Sequence, residues 1–480
     1  MPGRLHRAGR AITPVAGYGA EGDRQGPDKP DAVWVLDLHP DPKGSEAREL
    51  TTRAAVVLTW APCPGLLRRS SRVEAAFQRY RAACCVVAGL QQRRCRYRME
   101  TVMRSAIHSR LVAAGVEEEF HIVDLATRRL TGQADRLMGQ LPADRFSWEM
   151  QRSVVEANSR PWASLAELAE DIAGLRQAAI AAAEPLGLGI VAAGTVPLAD
   201  PGTLQVTADP RYEHIRGEYR MLVREQLICS TQVHVDVDDR DLAIAVGRRV
   251  APWLPALLAL SASSPFWLGT DTGYASYRTL IWRRWPTAGA LPGFESAAEY
   301  DRAVADLVRS GVILDAGMIY FDVRPSAHLP TLELRICDSC PSLEDVVLLA
   351  GLFRALVIRE AEAEHAGRPP VPVRPGLLEA ATWRAAQAGL QGDLVDPVTA
   401  GPIPAGRLIG QLLTGLRPAL ESTGDWELVS QLARSAMARG SSAARQRAAH
   451  GSGGARRVVD TLITETRAVP PWLQGARLVA

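Results

Sequence analysis

The sequence predicts an α+β fold, in which helices pack on one face of a largely antiparallel sheet and a polar site occupies the other face. Several segments alternate apolar and polar residues with the period of two that a half-buried strand shows. Longer segments repeat apolar residues every three to four positions, as amphipathic helices do. The two kinds of segment do not alternate regularly along the chain, which favours α+β over a parallel α/β sheet.

Charge and pattern divide the chain near residue 100. Residues 1–110 carry a net charge of +9, residues 111–480 one of −7, and no amphipathic period is sustained before residue 100. We predict that residues 1–104 are a poorly ordered basic extension, with sequence upstream of the true start as one explanation of its origin. A basic arm for nucleic acid or a membrane surface is the alternative, but its arginines are scattered without interleaved aromatic residues. Residues 105–480 are predicted to form one domain that includes the C-terminal helices.

Composition excludes several classes of protein. A hydrophobic fraction of 47% in 480 residues supports a globular core and argues against disorder. The only lysines are Lys29 and Lys43, so residues 44–480 cannot supply a Walker-A or Schiff-base lysine. Seven cysteines and the absence of an apolar signal sequence indicate the reducing cytoplasm. Three prolines interrupt the most apolar window, 250–269, so we predict a buried core helix rather than a membrane span.

Four strand-like segments have unusual polar faces. Those faces hold short acids, histidine and arginine, where a solvent-exposed strand more often carries Thr, Lys or Gln. A single such strand would be read as half-solvated, but four together indicate a functional surface. The segments are GVEEEFHIVD (115–124), ICSTQVHVDVDD (228–239), MIYFDVRP (318–325) and PTLELRICD (330–338).

Closely spaced carboxylates suggest a cation site. Glu117 and Glu119 share a face of the first strand, about 7 Å apart by the strand rise, and like charges at that spacing are costly without a cation between them. Oxygen ligands with histidine and no cysteine suit Mg²⁺ or Mn²⁺. Glu149 and Glu156 lie on opposite faces of a regular strand, so a bulge or bend is needed to bring both into the site.

The helices are predicted from the three-to-four spacing of apolar residues. Ser164 and Glu167 have the spacing of a capping box at the start of the first. The glycine-rich GSGG at 451–454 is predicted to be a flexible loop between the last helices. The predicted helical segments are 164–187, 211–228, 243–263, 297–311, 342–367, 406–422, 426–440 and 455–469.

Blocks of sequence along most of the chain resemble the bacterial carboxylate–amine ligases of the second glutamate–cysteine ligase group, from about residue 108 onward. The blocks, in family order, are GVEEEF, VVEANS, DPRYEHI, QVHVDV, ALSASSPFWLGTDTGYASYR, PTAGALP, FDVRPSAHLPTLELRICD and WRAAQAGL. The resemblance implies a glutamine-synthetase-like fold, in which a curved antiparallel sheet forms a funnel and helices pack outside it. It also implies that ATP phosphorylates a carboxylate and that an amine then attacks the acyl phosphate.

The resemblance assigns roles to ten residues. Divalent cations, Mg²⁺ or Mn²⁺, would be bound by five glutamates and a histidine, and ATP by a glutamine and an arginine. Arginines would neutralise the phosphates or hold the substrate carboxylate. The implied metal ligands are Glu117, Glu119, Glu149, Glu156, His234 and Glu333; the implied catalytic arginines are Arg278, Arg324 and Arg335; the implied nucleotide contacts are Gln232 and Arg335.

Two positions depart from the family pattern. Gln232 stands where the family usually has the first histidine of HVHV, and Gln387 where relatives often carry arginine. A glutamine oxygen is a neutral ligand that Mg²⁺ tolerates, so the contact at 232 is expected to be retained but weaker. Both departures leave the substrate open.

The leading hypothesis is therefore an ATP-dependent ligase that joins L-glutamate to L-cysteine or another small amine. The alternatives are a ligase of the same mechanism with another acid or amine, and a catalytically weakened sensor of ATP or an amino acid. No nucleic-acid or membrane partner is expected, because residues 111–480 are net negative and the apolar window is broken. The oligomeric state, including a homo-oligomer, stays open. Cys337 and Cys340 form an isolated C-x-x-C that we interpret as a neighbour of the site.

Overall fold

The computed structural model describes residues 113–474, so the predicted basic extension, residues 1–104, lies outside the described residues. The strands are β1 (Ala114–Asp124), β2 (Phe146–Trp148), β3 (Val154–Asn158), β4 (Leu188–Val191), β5 (Thr231–Asp236), β6 (Phe266–Trp267), β7 (Thr270–Asp271), β8 (Val323–Pro325), β9 (Thr331–Leu334), β10 (Asp393–Val395) and β11 (Pro402–Pro404). The helices are α1 (Ala134–Met138), α2 (Leu165–Ala183), α3 (Pro210–Tyr219), α4 (Met221–Arg224), α5 (Arg240–Val250), α6 (Leu254–Ser261), α7 (Tyr277–Trp282), α8 (Ala297–Arg309), α9 (Leu343–His365), α10 (Pro375–Ala388), α11 (Ala405–Ser422), α12 (Trp426–Arg439), α13 (Ser442–Arg467) and α14 (Pro471–Gln474).

An open seven-stranded sheet organises the fold, with strand order β2-β3-β1-β5-β9-β8 and β4 also paired with β1. Every pairing in this sheet is antiparallel. The long strand β1 lies at its centre, because it pairs with β3 and β5 over its first part and with β4 at its end. The predicted α+β class with a largely antiparallel sheet is confirmed.

The apolar face of the sheet packs against the helices. Val116, Val233, Val235 and Leu334 are all buried in the largest hydrophobic core. Helix α9 packs behind β1 and β5 and is itself surrounded by α2, α5, α11 and α12, so it is buried along most of its length. The polar face of the sheet is thereby directed away from the helical layer, as the alternation in the sequence predicted.

Glu118, which interrupts the apolar alternation of β1, is held in the core by an arginine of α2. Its two carboxylate oxygens accept hydrogen bonds from Nε and Nη2 of Arg176 at 3.0 and 2.6 Å. Arg176 also donates to the backbone carbonyls of Cys340 and Pro341, both at 2.7 Å. Both side chains of the pair are 2% exposed. The charged residue at the irregular position of the strand is therefore buried, and both of its carboxylate oxygens are paired with Arg176.

Two segments, 205–228 and 313–320, close the open side of the sheet into a funnel; we call them the closing segments. Hydrogen bonds join them to the β2–β3 end of the sheet, to β8 and to each other, and three of the four bonds cross long sequence separations. These bonds are Tyr212 Oη to the Trp148 carbonyl (3.3 Å), Gln151 Nε2 to the Val223 carbonyl (2.6 Å), Arg211 Nε to Asp315 Oδ2 (2.9 Å) and Arg324 Nη1 to the Ile319 carbonyl (2.5 Å). The funnel implied by the family resemblance is thus completed by segments outside the sheet.

The structure corrects several predicted element bounds. The predicted strand 318–325 is formed only at Val323–Pro325, because the chain before it belongs to a closing segment that includes the 3₁₀ helix Ala316–Met318. The predicted helix 211–228 breaks at Arg220, whose φ of 50° ends α3 and separates it from α4. The GSGG stretch is a kink within α13, at Gly453 and Gly454, rather than a loop.

The apolar window predicted to be a core helix is built differently but lies inside the fold. Within the described residues, the helical stretch 240–261 has the length and hydropathy of a membrane span, and 78% of its most apolar window is buried. It consists of α5, a 3₁₀ turn at Ala251–Trp253 and α6, and the chain leaves helical structure after Ser261. Helix α6 is buried at every position.

The buried pair of Glu118 and Arg176 gives a stability prediction. Glu118→Ala leaves the guanidinium group in the core without its carboxylate, so we expect the free energy of unfolding to fall by about 3–5 kcal/mol. Urea unfolding of the full chain, followed by circular dichroism, measures the change.

A matched control is available in the exposed pair of Arg417 and Glu421, whose side chains are 56% and 50% exposed. Glu421→Ala should cost less than about 1 kcal/mol. The double variant Glu118→Leu/Arg176→Leu should recover part of the loss, because no unpaired charge then remains in the core. Equal losses for Glu118→Ala and Glu421→Ala would contradict the importance given to the buried pair.

Candidate active site

A pocket of about 310 Å³ opens on the polar face of the sheet, between the strands and the closing segments. All ten residues assigned site roles from the sequence line this pocket, although they come from six strands or strand ends and from α7. They are Glu117, Glu119, Glu149, Glu156, Gln232, His234, Arg278, Arg324, Glu333 and Arg335. The structure thus brings the predicted residues together, while their individual roles stay predictions.

The first cluster of acids consists of Glu119, Glu149 and Glu156, which each offer an oxygen atom within 4.8 Å of the others. Glu149 follows the end of β2, and Glu156 lies in β3, so the β2–β3 hairpin folds one back towards the other. Glu119 lies directly opposite Glu156 in the register of β1 and β3. The bend that the sequence required between the two acids is therefore a complete hairpin turn.

The second cluster consists of Glu117, His234 and Glu333, on three adjacent strands. His234 lies opposite Glu333 in the register of β5 and β9. Its Nε2 lies 3.1 Å from Glu117 Oε1, and its Nδ1 lies 2.9 Å from Thr331 Oγ1. The hydroxyl contact at Nδ1 orients the ring so that Nε2 faces the carboxylates.

The two clusters differ in their electrostatics. Burial, reinforced by the charge of Glu119, raises the pKa of Glu149 to about 8. Burial and the neighbouring carboxylates also raise the pKa of Glu156 well above its usual range. In the second cluster, burial opposes ionisation of Glu333, but Arg335, Arg324 and His234 outweigh it and lower the pKa of Glu333 to about 2. Arg335 also lowers the pKa of each acid in the first cluster, but it does not outweigh burial there, so the first cluster is less compensated by positive charge than the second.

The chemistry of these donors fits hard divalent cations. Each cluster presents carboxylate oxygens, with one imidazole nitrogen in the second and no thiolate, which is the donor set of Mg²⁺ or Mn²⁺ rather than of structural zinc. Three carboxylates crowded into one half-buried place are stable as anions only with a compensating positive charge. The first cluster is the stronger candidate on this ground.

Three arginines predicted to act on substrate are all held by other groups. Arg324 Nε donates to Glu333 Oε2 at 3.0 Å, and Arg335 contacts the same carboxylate. Arg278 donates to the carbonyls of Ile336 and Arg335 at 3.1 and 3.2 Å. The Nε atoms of Arg278 and Arg335 are buried and have no hydrogen-bond partner among the described residues, so each of these arginines has one unsatisfied donor behind the pocket surface.

Gln232 connects the two clusters. Its Oε1 accepts from Arg335 Nη1 at 2.5 Å, and its Nε2 lies 3.4 Å from Glu119 Oε1. Since Arg335 also contacts Glu333, a chain of hydrogen bonds runs from the first cluster to the second. The other departure from the family pattern, Gln387, does not line the pocket and accepts from Arg384 at 3.0 Å.

Sequence analysis did not identify the aromatic side of the pocket. Four rings line it opposite the sheet, and we call them the aromatic wall: Tyr212, Trp282, Trp285 and Tyr320. Tyr320 was on the polar face of a predicted strand, which was a signal that could have been used. The two tryptophans follow Arg278 in the stretch YRTLIWRRW, whose first six residues form α7, and aromatic residues in such a stretch more often indicate a core.

A second group missed from the sequence is a fully buried aspartate behind the pocket. Asp338 accepts hydrogen bonds from the Ser263 backbone amide and from the hydroxyls of Ser264 and Ser276, at 2.9, 2.7 and 2.7 Å. It lies 3.8 Å from Arg278 Nη1 and fixes that arginine at the pocket. The flanking Cys337 and Cys340 are buried, and burial raises the pKa of the Cys337 thiol to about 12, so this C-x-x-C has no reactive thiolate.

Comparisons with known proteins agree with this geometry. A family model described as glutamate-cysteine ligase family 2 matches residues 113–461. The "Putative glutamate–cysteine ligase 2-2" of Frankia casuarinae is 58% identical over 371 residues, which are 77% of this chain and 43% of that protein. A relative with the same name from Mycolicibacterium smegmatis is 53% identical over 73% of this chain and 89% of its own length. The chain spans less than half the length of the first three curated relatives it matches.

Solved structures with a similar fold are distant in sequence. A glutamate–cysteine ligase from Francisella tularensis in complex with AMP has a TM-score of 0.56 and 11% identity, covering 76% of this chain and 91% of that one. A bifunctional glutathione synthetase from Pasteurella multocida has a TM-score of 0.56 and 14% identity, covering 77% and 54%. At these identities the likeness concerns the fold alone, and it confirms the ligase fold expected from the sequence.

The two clusters give a prediction about cation binding. Titration of the full chain with Mn²⁺, followed by electron paramagnetic resonance of the free ion, should reveal two sites. Glu156→Gln should weaken Mn²⁺ binding at the first cluster by about tenfold or more, or abolish it, because a neutral amide replaces one of three anionic ligands. Glu333→Gln should weaken Mn²⁺ binding at the second cluster and leave binding at the first cluster unchanged.

The control is Glu421→Gln, an exposed residue outside both clusters, which should bind Mn²⁺ as the unchanged chain does. Unchanged binding in both Glu156→Gln and Glu333→Gln, with a normal circular dichroism spectrum, would show that these carboxylates are not the ligands.

Proposed function

Because the chain belongs to glutamate-cysteine ligase family 2, we propose that it is an ATP-dependent carboxylate–amine ligase. The single observation that carries the proposal is the pairing of two carboxylate clusters with Arg335 and Arg278 in one pocket. Phosphoryl transfer to a carboxylate requires positive charge around the transferred group and a second positive position for the acceptor. Cations bound by the carboxylate clusters would supply the charge around the transferred group, and the arginine nitrogens the positive position for the acceptor.

The proposed reaction has two steps. An oxygen of the substrate carboxylate attacks the γ-phosphorus of ATP, the bond to the bridging oxygen breaks, and ADP leaves with that electron pair. The nitrogen lone pair of the amine then forms the C–N bond, and phosphate leaves with the electrons of the acyl C–O bond. An ammonium substrate yields amide, ADP, phosphate and one net proton. Bound Mg²⁺ would neutralise phosphate charge in the first step.

The chain's own residues take three roles in this proposal. The two acid clusters hold the cations, and the β2–β3 hairpin together with β1 sets their positions. Arg278 binds the remaining carboxylate of the acid substrate, and Arg335 faces the transferred phosphoryl group. The closing segments exclude water, which would otherwise hydrolyse the acyl phosphate.

L-Glutamate is proposed as the acid substrate and L-cysteine or another small amine as its partner, on the names of the relatives. The same names support a small-molecule reaction. The second candidate function is a weakened sensor of ATP or an amino acid. Gln232 favours it, because the Gln232 oxygen already accepts a hydrogen bond from Arg335 and that arginine is then less free to bind a ligand.

The proposal predicts ADP release that depends on Mg²⁺, ATP, L-glutamate and an amine together. Coupled-enzyme detection of ADP with the full chain measures it. Glu119→Gln and Glu333→Gln should each lower kcat by about a hundredfold or more, because each removes charge stabilisation from the transferring group. The fold should be retained, as unfolding midpoints can show.

Glu421→Gln, exposed and distant in sequence from the pocket residues, is the matched control and should keep normal turnover. ATP binding without ADP release, under every combination of substrates, would favour the sensor instead. Near-normal kcat in Glu119→Gln would show that the cation assignment is wrong.

Gln232 gives a separate prediction. Gln232→Leu removes the acceptor for Arg335 and the contact to Glu119, so kcat should fall by about tenfold as Arg335 loses its orientation. Gln232→His, which restores the usual family residue, should keep or raise kcat. A loss in Gln232→His as large as in Gln232→Leu would argue that the amide itself is required; both are measured by ADP release at saturating substrates.

A further inference from the structure

A second cavity, of about 380 Å³, lies in the helical layer. Its walls come from the end of α5, the 3₁₀ turn that follows, the second half of α9, the segment 368–371 and α11. We call it the helical cavity; its lining includes Arg249, Trp253, Arg359, Arg368, Gly415 and Pro418. Among the described residues, this lining shares no member with the pocket on the polar face of the sheet, so the proposed ligase reaction gives the helical cavity no role.

Small residues of α11 leave the space of the helical cavity open. Gly415 and Ala419 line it from positions one helical turn apart, and Pro418 lies between them in the sequence. A Cβ atom at Gly415 would come within 3.2 Å of Arg359 Nη1, so glycine leaves room for that guanidinium group. Pro369 adds a further apolar side chain from the segment after α9. One side of the cavity is therefore apolar.

The opposite side of the cavity carries an excess of buried positive charge. Arg249 is only 4% exposed, and its Nε donates to Glu360 Oε2 at 3.0 Å. Arg359 Nε donates to the other oxygen of the same carboxylate at 2.9 Å, so one buried carboxylate accepts from two guanidinium groups. Arg249 Nη1 also donates to Glu364 Oε2 at 3.2 Å and to the backbone carbonyl of Arg368 at 2.9 Å. Because Glu364 is 42% exposed, water screens its compensation.

Arg359 is held in position from two sides. Its Cζ lies 4.9 Å from the centroid of the Trp253 ring, and its Nε and Nη2 both contact Glu360, at 2.9 and 2.8 Å. The side chain of Arg359 nevertheless remains 22% exposed. A guanidinium group fixed in this way loses little conformational freedom when it binds an anion.

Donor groups of three arginines remain for a ligand in this cavity. Arg249 Nη2 and Arg359 Nη1 make no hydrogen bond to any residue that the structure describes, and neither atom is fully enclosed. The exposed side chain of Arg368 forms no hydrogen bond or ion pair within residues 113–474. The acids of the lining are Glu360 and Glu362, so arginines outnumber acids three to two. This excess favours a ligand with negative charge and acceptor oxygens.

We propose that the helical cavity binds a small organic anion, which carries a carboxylate or a phosphate ester together with an apolar group. The anionic oxygens accept from Arg249 Nη2, Arg359 Nη1 and the guanidinium group of Arg368. The apolar group packs on Pro418 and Ala419. Arginine pairs well with both kinds of oxyanion, and sites between helices commonly combine an apolar lining with a few placed polar groups. The site is separate from the proposed function and does not rest on it.

Ligand-observed fluorine NMR with the full chain tests whether the cavity takes an anion. The probes are 4-fluorobenzoate and 4-fluorophenyl phosphate, with 4-fluorobenzamide as the neutral and 4-fluorobenzylamine as the cationic counterpart. At least one anion should bind with a Kd of about 1 mM or tighter, and more tightly than the amide and the amine by about tenfold or more. The anion with the lower Kd identifies the preferred head group. Equal or tighter binding of the amide or the amine, or no binding of either anion up to about 10 mM, would overturn the proposal.

Two variants of the cavity locate the bound anion. Arg359→Gln should raise the Kd of the preferred anion by about tenfold or more, because it removes the guanidinium group that is held in position. Arg368→Gln changes an exposed side chain and leaves the core untouched, and it should raise the same Kd by about two- to fivefold. The same fluorine NMR titration measures both changes, and circular dichroism checks the fold of each variant.

Arg417→Gln is the matched control. The Cζ of Arg417 also lies 4.9 Å from the centroid of a tryptophan ring, that of Trp426, but Arg417 does not line the cavity, so this variant should bind the anion as the unchanged chain does. Unchanged Kd values in both Arg359→Gln and Arg368→Gln would overturn the proposal. A loss of binding in Arg335→Gln in place of these two would assign the anion to the pocket on the polar face and would overturn it as well.

Discussion

The buried ion pair between Glu118 and Arg176 determines how the rest of the site can be placed. Side chains alternate along a strand, so a shift of β1 by one residue would exchange Glu118 with one of its neighbours, Glu117 or Glu119. The bidentate contact with α2 makes that exchange costly, because it would place a different carboxylate in the core. The same guanidinium binds the carbonyls of residues 340 and 341, just beyond β9. One arginine thus positions both the first strand of the acid clusters and the segment that follows the last.

The two clusters illustrate different ways to hold carboxylates in a protein interior. In the second cluster, arginines and a histidine already neutralise Glu333, so this part of the pocket is organised by the protein alone. In the first, three carboxylates face one another, and burial raises the pKa of each although the charge of Arg335 opposes the rise. The three carboxylates of such an arrangement repel one another, and a positively charged ligand relieves that repulsion. The charges of the second cluster are therefore neutralised by the protein itself, while the charge state of the first cluster depends on the ligand that it binds.

The sequence predicted the fold class and the acidic strands because alternation reports directly which side of a strand is buried. It placed Glu117, Glu119, His234 and Glu333 on polar faces, and the structure has them in one pocket. It could not show that Glu149 returns to Glu156 through a hairpin, since a turn after three residues of strand leaves no clear period. The closing segments and the aromatic wall were missed for another reason: aromatic residues are typical of cores, and contacts such as Arg211 with Asp315 join residues more than one hundred positions apart, which no local pattern encodes.

The strand order has a consequence for how the chain acquires its structure. β1 is synthesised first, yet its neighbour β5 begins more than one hundred residues later and the next strand, β9, one hundred residues after that. Pairings across such separations form slowly, since the entropy of closing the loop is lost before the contacts are gained. During synthesis the edge of β1 that β5 will cover therefore waits unpaired, and the negative charge on the polar face of the strand discourages association with the same strand of another nascent chain.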